Sequence, residues 1–417
     1  MLAPSPGPLA WICLVELTAY VATCVVLVAI RSRYERRMRL LARLEAMLDG
    51  PAQEGSGPPH TGDDLAFDAV AHAPLGDLRL LASASHASPA VMALLARSVL
   101  SRVGAVSVRK AARARRGRGQ GWRRIAALRT LAFAGAEESW GCLAGALADG
   151  SHEVKGATVT LLGQLSDRRS AELLVEALRA GSFARSRIAA SLDACPMDVA
   201  DLIAPLLDSD DAHVRFWAIA LMQRHPQTPG LDRQLIALTA DVDSAVRKAA
   251  IDAVVASPGI GALPALRARL SDGTPFVRAH AARAIGRLHG ASQAAALLPL
   301  LADPDWTVRT GVKETLSAMG DTIAPLLLPV LSHADEFARN GAAEVLQNIG
   351  VFERLVILEA NGPSEPARAR TIRLLAWAGG VRMWEGVLDE LHGHLRARAR
   401  HLLSPAAFQP PIVDEVA

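Results

Sequence analysis

Apolar residues in the body of the chain recur at helical spacing, in register with a basic residue. Arg124, Lys155, Arg185, Arg215, Arg247, Arg278, Arg309, Arg339 and Arg368 follow one another at intervals of 31, 30, 30, 32, 31, 31, 30 and 29 residues. Seven positions after each stands a large apolar residue: Leu131, Leu162, Leu192, Met222, Val254, Ile285, Leu316, Leu346 and Leu375. Three positions after it the residue is mostly small, as at Ala127, Ala218, Ala250, Ala281 and Ala342. The position before it is Val or Ala in every unit except the first, where it is Arg123. Offsets of −1, +3 and +7 lie on one stripe of an α-helix. At +11 stand Gly135, Ser166, Pro196, Pro226, Pro258, His289, Gly320, Gly350 and Gly379, chiefly residues that end helices. Between successive marked helices runs a second apolar stretch, such as QAAALLPLL (293–301) or TIAPLLLPVL (322–331). Each unit is therefore a helical hairpin that cannot bury its own stripe and must stack on its neighbours. The expectation is an all-α, right-handed solenoid of about nine or ten hairpins over 120–403. Residues 64–119 read as degenerate units, since SPAVMALLARSVLSRVG (88–104) keeps the stripe with Ala93 in the basic slot.

The turns that open these helices repeat too. DDAHVRFWA (210–218), DVDSAVRKA (241–249), DGTPFVRAH (272–280), DPDWTVRTG (303–311) and HADEFARNG (333–341) are one motif. Asp303–Pro304 reads as an N-cap followed by proline at the first helical position. Asp211, Asp243, Asp305 and Asp335 stand four residues before the Arg, in the first turn, where the helix dipole favours an anion. A charged cluster recurring in successive turns is a structural device and not one active site.

The first fifty residues follow a different pattern. LAWICLVELTAYVATCVVLVAI (9–30) carries one charge, Glu16, and is long enough to cross a bilayer as a helix. Glu16 lies about two turns from the outer end, within reach of the headgroups. Behind the segment come Arg31, Arg33, Arg36, Arg37, Arg39 and Arg43 against the single Glu35, while MLAPSPGP (1–8) has no side-chain charge. Positive charge behind the apolar run is the reverse of a cleavable signal, and it directs the solenoid to the cytoplasm with residues 1–8 outside. A basic juxtamembrane helix (31–49) and a Gly/Pro/Ser-rich linker (50–63) follow, and 404–417 has too little periodicity for an element.

Composition narrows the rest. The chain is 51% hydrophobic but 4% aromatic, so its core is Ala, Leu and Val, which suits close-packed helices. A net charge of +3 declares no nucleic-acid binder. Cys13, Cys24, Cys142 and Cys195 form no CxxC, so neither a disulfide framework nor a thiolate zinc site is expected. GxxxxGK[ST] and GxSxG are both missing.

The motif D-x-x-x-[VA]-R with its small and large apolar slots resembles the HEAT-like repeat family, in the variety first noted in phycobilisome lyases, over residues 120–380. That resemblance implies a ladder in which Asp211, Asp243, Asp305 and Asp335 pair with Arg215, Arg247, Arg309 and Arg339 or with the next unit's Arg, Arg278 belonging to the same series. Ser151, Gly181, Thr274 and Ser364 replace the acid, which interrupts it. It also raises an enzymatic alternative, a lyase-like enzyme or enzyme subunit. Metal-dependent hydroxylases of this fold use several His-Glu pairs, whereas this chain has one, His152-Glu153. No catalytic residue, cofactor or metal is therefore expected.

One region stands out by charge. From Arg79 to Arg129 there is no Asp or Glu, and VRKAARARRGRGQGWRR (108–124) is its basic centre. Its candidate anion contacts are Arg109, Lys110, Arg113, Arg115, Arg116, Arg118, Arg123 and Arg124. Near an anchor they could hold the anionic inner leaflet at about 1 kcal/mol per basic residue. Nucleic-acid binding is the weaker reading, because Trp122 is the one aromatic partner for bases. A docking face for an acidic protein, or a solvated insertion, is the remaining possibility. Trp217, Trp306, Trp377 and Trp384 are read evenly as binding anchors or as fillers between hairpins. The functional expectation is a membrane-anchored, non-catalytic scaffold that recruits a protein partner.

Overall fold

The computed structural model describes residues 89–113, 120–135, 139–225, 228–363 and 365–390, most of 23–46, and a few positions beyond 390. Residues 1–22, 47–88, Arg33, Arg37, Arg115, Arg116, Arg118 and 401–417 lie outside the described residues, and with them Glu16, the linker, the tail and most of the apolar run 9–30. The described residues form helices and turns, without a strand among them. They divide into two compact units, Met1–Leu202 and Ile203–Ala417.

In the first unit the described residues between 23 and 46 are helical. Leu41 and Leu44 are buried against Val91, Met92, Leu95 and Val99 of α1 (Pro89–Val103), with Leu40, Val103 and Phe133 alongside. The basic helix thus docks on the first helix of the body through its apolar stripe. Val25, Val26, Leu27 and Val28, in contrast, stand exposed. Among the described residues no single helix is long and apolar enough to cross a membrane. At Gly104 the chain bends by 102° into α2 (Ala105–Arg113), with a φ of 84° that favours glycine. Both α1 and α2 pack on α3 (Gln120–Phe133). Then come α4 (Trp140–Leu147), α5 (His152–Gly163), α6 (Arg168–Ala180) and α7 (Arg185–Asp193), with α3 on α5 and α5 on α7.

The second unit carries α8 (Ala212–Met222), α9 (Leu231–Leu238), α10 (Ser244–Ala256), α11 (Ala262–Arg269), α12 (Pro275–His289), α13 (Trp306–Ser317), α14 (Glu336–Asn348), α15 (Val351–Asn361) and α16 (Pro366–Glu390). The Arg-bearing helices α8, α10, α12, α13, α14 and α16 pack each on the next. Their +7 residues, from Met222 to Leu375, are all buried, as are Ala218, Ala250, Ala281, Val312 and Ala342 at +3. Small residues bring the helices close. A Cβ on Gly286 of α12 would stand 2.3 Å from Thr315 Cγ2 of α13. The partner helices are not uniform: where QAAALLPLL and TIAPLLLPVL predict helix, Ala294–Leu297 and Ala324–Leu327 are single α-turns that tighten into 3₁₀ at Pro299 and Pro329. Proline supplies no N–H for the i→i−4 bond, and the tighter helix accommodates it.

Candidate functional site

The repeated turns place Arg215, Arg247, Arg278, Arg309 and Arg339 in one geometry. Nη1 of Arg215 donates to the carbonyls of Ser209 and Asp210 at 2.7 and 3.1 Å, and Nη1 of Arg247 to those of Asp241 and Val242 at 3.0 Å. Arg278 does the same to Asp272 O at 2.8 Å. With Nη1 held by its own turn, the remaining Nε/Nη2 edge points to the next repeat. There Arg215 meets Asp241 at 2.7 and 2.7 Å, Arg247 meets Asp272 at 2.9 and 2.8 Å, and Arg278 meets Asp303 at 2.7 and 2.7 Å. Two parallel charge-assisted bonds per rung give the strong, planar form of ion pair. Each of these Asp carboxylates also accepts from the backbone N–H two residues on, Asp243, Thr274 and Asp305 respectively, which shapes the turn.

The expected pairing needs correction here. Asp211, Asp243, Asp305 and Asp335 cap their own helices, accepting from the N–H of His213, Ala245, Thr307 and Ala338. The hydrogen-bonded carboxylate in each rung is the acid two residues earlier, six before the next Arg. Asp211 and Asp243 act on Arg215 through space, adding to the Asp241 hydrogen bond that chiefly raises its pKa. Arg278 is raised likewise, first by its bond to Asp303. Burial pushes the Asp241 and Asp272 carboxyls up, but the bonds from Arg215 and Arg247 and from the turn amides outweigh it and leave both below the ordinary value. Sequence reasoning missed Asp241, Asp272 and Asp303 as partners, although they recur six residues before Arg247, Arg278 and Arg309.

The first unit closes one such rung, at Arg124, with Asp149 six residues before Lys155 and accepting from Ser151 N–H, and gives Lys155 and Arg185 other partners. Arg124 forms a buried bidentate pair with Asp149, and its Nε donates to Ala112 O. It is therefore not the anion contact proposed from the basic segment. Lys155 Nζ reaches Ser182 O at 3.0 Å, and Arg185 Nε reaches Leu178 O at 3.0 Å. Of the other segment residues, Lys110, Arg113 and Arg123 are exposed and Arg109 is half-buried. Trp122, 74% exposed, borders a cavity of about 580 Å³ lined mostly by apolar residues of α1, α2 and α3, with Ser107, Arg123 and Thr130 among them. Arg31 and Arg36 are exposed beyond the apolar run, Arg31 paired to Glu35 at 2.9 Å.

The ladder changes character after Asp303. Arg309 keeps the backbone bonds, Nη1 to Asp303 O and Pro304 O at 2.6 and 3.0 Å, and Arg339 does so to His333 O and Ala334 O at 2.8 Å. No carboxylate among the described residues closes either fork. The slot that would serve Arg309 holds His333, whose Nδ1 accepts the Asp335 N–H at 3.0 Å and so keeps the turn without the charge. The slot for Arg339 holds Gly362. The guanidinium planes lie instead on rings, Arg309 over Phe337 at 4.1 Å and Arg339 over Trp377 at 4.4 Å. Trp306 at 66%, Phe337 at 52% and Phe276 at 42% are exposed in the first turns of α13, α14 and α12. Trp217 is half-buried, edge-on to Phe216.

Other groupings are poorer in chemistry. A cavity of about 390 Å³ between α10, α12 and α13 holds Asp252, bonded to Lys248 Nζ at 2.8 Å and His280 Nδ1 at 3.1 Å. Burial raises this carboxyl, and the hydrogen bonds with His280 and Lys248 more than reverse it. His152 and Glu153 are exposed, the imidazole 5.6 Å from the Phe183 ring. Among the described residues no three His, Cys, Asp or Glu side chains gather as a metal site.

The profile of HEAT repeats matches residues 231–317 and 263–347. This stretch is built of HEAT repeats. The search of curated proteins found no match. Among solved structures, Kap121p bound to Nup53p is similar at 14% identity and a TM-score of 0.43, over 97% of this chain and 54% of that one. The karyopherin Kap121p bound to the extreme C-terminus of the protein phosphatase Cdc14p gives 13% and 0.44 over the same shares. Human deoxyhypusine hydroxylase in complex with glycerol gives 19% and 0.25, over 61% of this chain and 98% of that one. The chain spans about half the length of Kap121p.

Proposed function

We propose that the chain is a protein-interaction scaffold, anchored in a membrane by residues 9–30 with its repeats in the cytoplasm. The observation that carries the scaffold reading is the division of labour along the ladder. Its arginines are spent on holding successive repeats together, while large aromatic side chains of the same turns face solvent. Aromatic and Arg side chains are the residue types that dominate protein interfaces. The anchor is supported by the apolar run, by the arginines behind it and by the exposed Val25–Val28. Docking of Leu41 and Leu44 on α1 would make it a mount and not a loose tether.

A second reading concerns the exposed Lys110, Arg113 and Arg123 with Trp122. Beside an anchor they would meet anionic headgroups, each worth about 1 kcal/mol. Membrane fractionation tests the first reading. The full chain should resist alkaline carbonate and be released by deletion of 9–30, and crosslinking in membranes should trap a stoichiometric protein. Extraction of the full chain by carbonate alone, or turnover of a small substrate by the purified protein, would overturn it.

A further inference from the structure

We infer that Arg309 and Arg339 are open rungs of the ladder, and that a partner's acidic segment closes them. The closed rungs show what such a guanidinium is built to hold. In Arg215, Arg247 and Arg278 the bond from Nη1 to the residue's own turn aims the Nε/Nη2 edge at a carboxylate 2.7–2.9 Å away. Arg309 and Arg339 have the same Nη1 bonds, so the same edge is presented, half-buried and pre-oriented. Ring contact with Phe337 and Trp377 occupies the face of each guanidinium and leaves its edge. The aspartates of these turns are committed elsewhere: Asp303 to Arg278, Asp305 to Thr307 N–H and Asp335 to Ala338 N–H.

The ligand follows from that geometry. A carboxylate fits the fork bidentately, as three copies within the same molecule demonstrate, and an immobilised guanidinium loses little freedom on binding it. Adjacent packed helices lie about 8–10 Å apart, which a peptide in the polyproline II conformation spans in about three residues at roughly 3.1 Å each, with residues three apart on one face. The matching segment thus carries two acidic residues three positions apart. The exposed faces of Trp306 and Phe337 add an apolar handle for a side chain between or beside them. This inference rests on the scaffold reading and names the chemistry of the partner: an acidic, aromatic-containing peptide.

His333 provides the decisive variant. H333D places in the chain the carboxylate that Asp241, Asp272 and Asp303 supply elsewhere, so Arg309 is closed from within while the fold is retained. H333N keeps the turn acceptor without charge. The full chain in detergent is titrated with a fluorescent Gly/Ser-flanked Glu-Trp-Ala-Glu peptide, its Gln-Trp-Ala-Gln counterpart, phosphatidylserine vesicles and a single-stranded oligonucleotide. The expected result is binding of the Glu peptide about tenfold tighter than the Gln peptide, lost about tenfold in H333D and in R309Q/R339Q, and kept within about twofold in H333N. Glu-peptide binding unchanged in H333D overturns the inference. So does H333D-sensitive binding of vesicles or oligonucleotide with none of peptide. Binding that appears only after Asp414→Asn and Glu415→Gln overturns it as well, by showing the rungs filled from this chain. Partners still crosslinked in H333D would leave the scaffold reading standing without this site. Peptide binding in a chain that fractionates as soluble would do the reverse.

Discussion

Arg278 and Arg309 hold the same slot in neighbouring repeats and bond their own turns in the same way, yet their outer edges differ. Asp303 closes the first with two short bonds, whereas His333 stands where a carboxylate would close the second. Phe337 takes over the packing by covering the guanidinium face. One backbone geometry thus serves two purposes. Where the turn supplies an acid, the arginine joins two repeats; where it does not, the same arginine is held ready at the surface. A single residue decides which.

The largest effect is expected on the closed side. Asp272→Ala leaves the half-buried Arg247 without its carboxylate and Thr274 N–H without its acceptor, and should cost about 3 kcal/mol in urea unfolding. Gly286→Ala should cost about 2 kcal/mol, because the new methyl meets Thr315, whose hydroxyl is committed to Gly311 O. That loss measures helix approach independently of the ladder. On the open side, Arg309→Ala gives up two carbonyl bonds and a half-exposed ring contact but strands no buried carboxylate, and should cost about 1–2 kcal/mol. His333→Asp should stabilise by about 0.5 kcal/mol, and equal losses from Asp272→Ala and Arg309→Ala would erase the distinction between the two kinds of rung.

Acid should separate them as well. The folded carboxyls of Asp241 and Asp272 lie below their ordinary value, so the stability they contribute is complete above the unfolded pKa of about 3.9 and disappears as pH falls through the folded one. Hydrogen exchange followed from pH 5 to pH 3 should therefore show α8, α10 and α12 loosening more steeply than α14. A uniform response along the second unit would contradict this.

Much of the architecture is legible because a helical stripe repeated nine times survives substitution at any one place; Leu131 to Leu375 are buried at the positions the spacing indicates. The ladder partners are not legible in the same way. Asp241 and Asp243, or Asp303 and Asp305, stand two residues apart in one turn, and only the backbone path shows which side chain turns to its own helix and which to the preceding Arg. The 3₁₀ segments escape for a related reason: apolar spacing does not record the change of pitch at Pro299 and Pro329. Leu40, Leu41 and Leu44 look like the apolar side of a juxtamembrane helix, and their burial against α1 depends on residues fifty positions away. The open rungs are visible in retrospect as a missing acid six residues before Arg339.

The most direct test is a double-mutant cycle on Arg278 and Asp303, read by hydrogen exchange of α12 and α13 in the full chain. A coupling of about 1–3 kcal/mol is predicted, against about zero for the same cycle on Arg309 and His333. Additive single-mutant effects at Arg278 and Asp303 would mean that the rungs do not hold the repeats together.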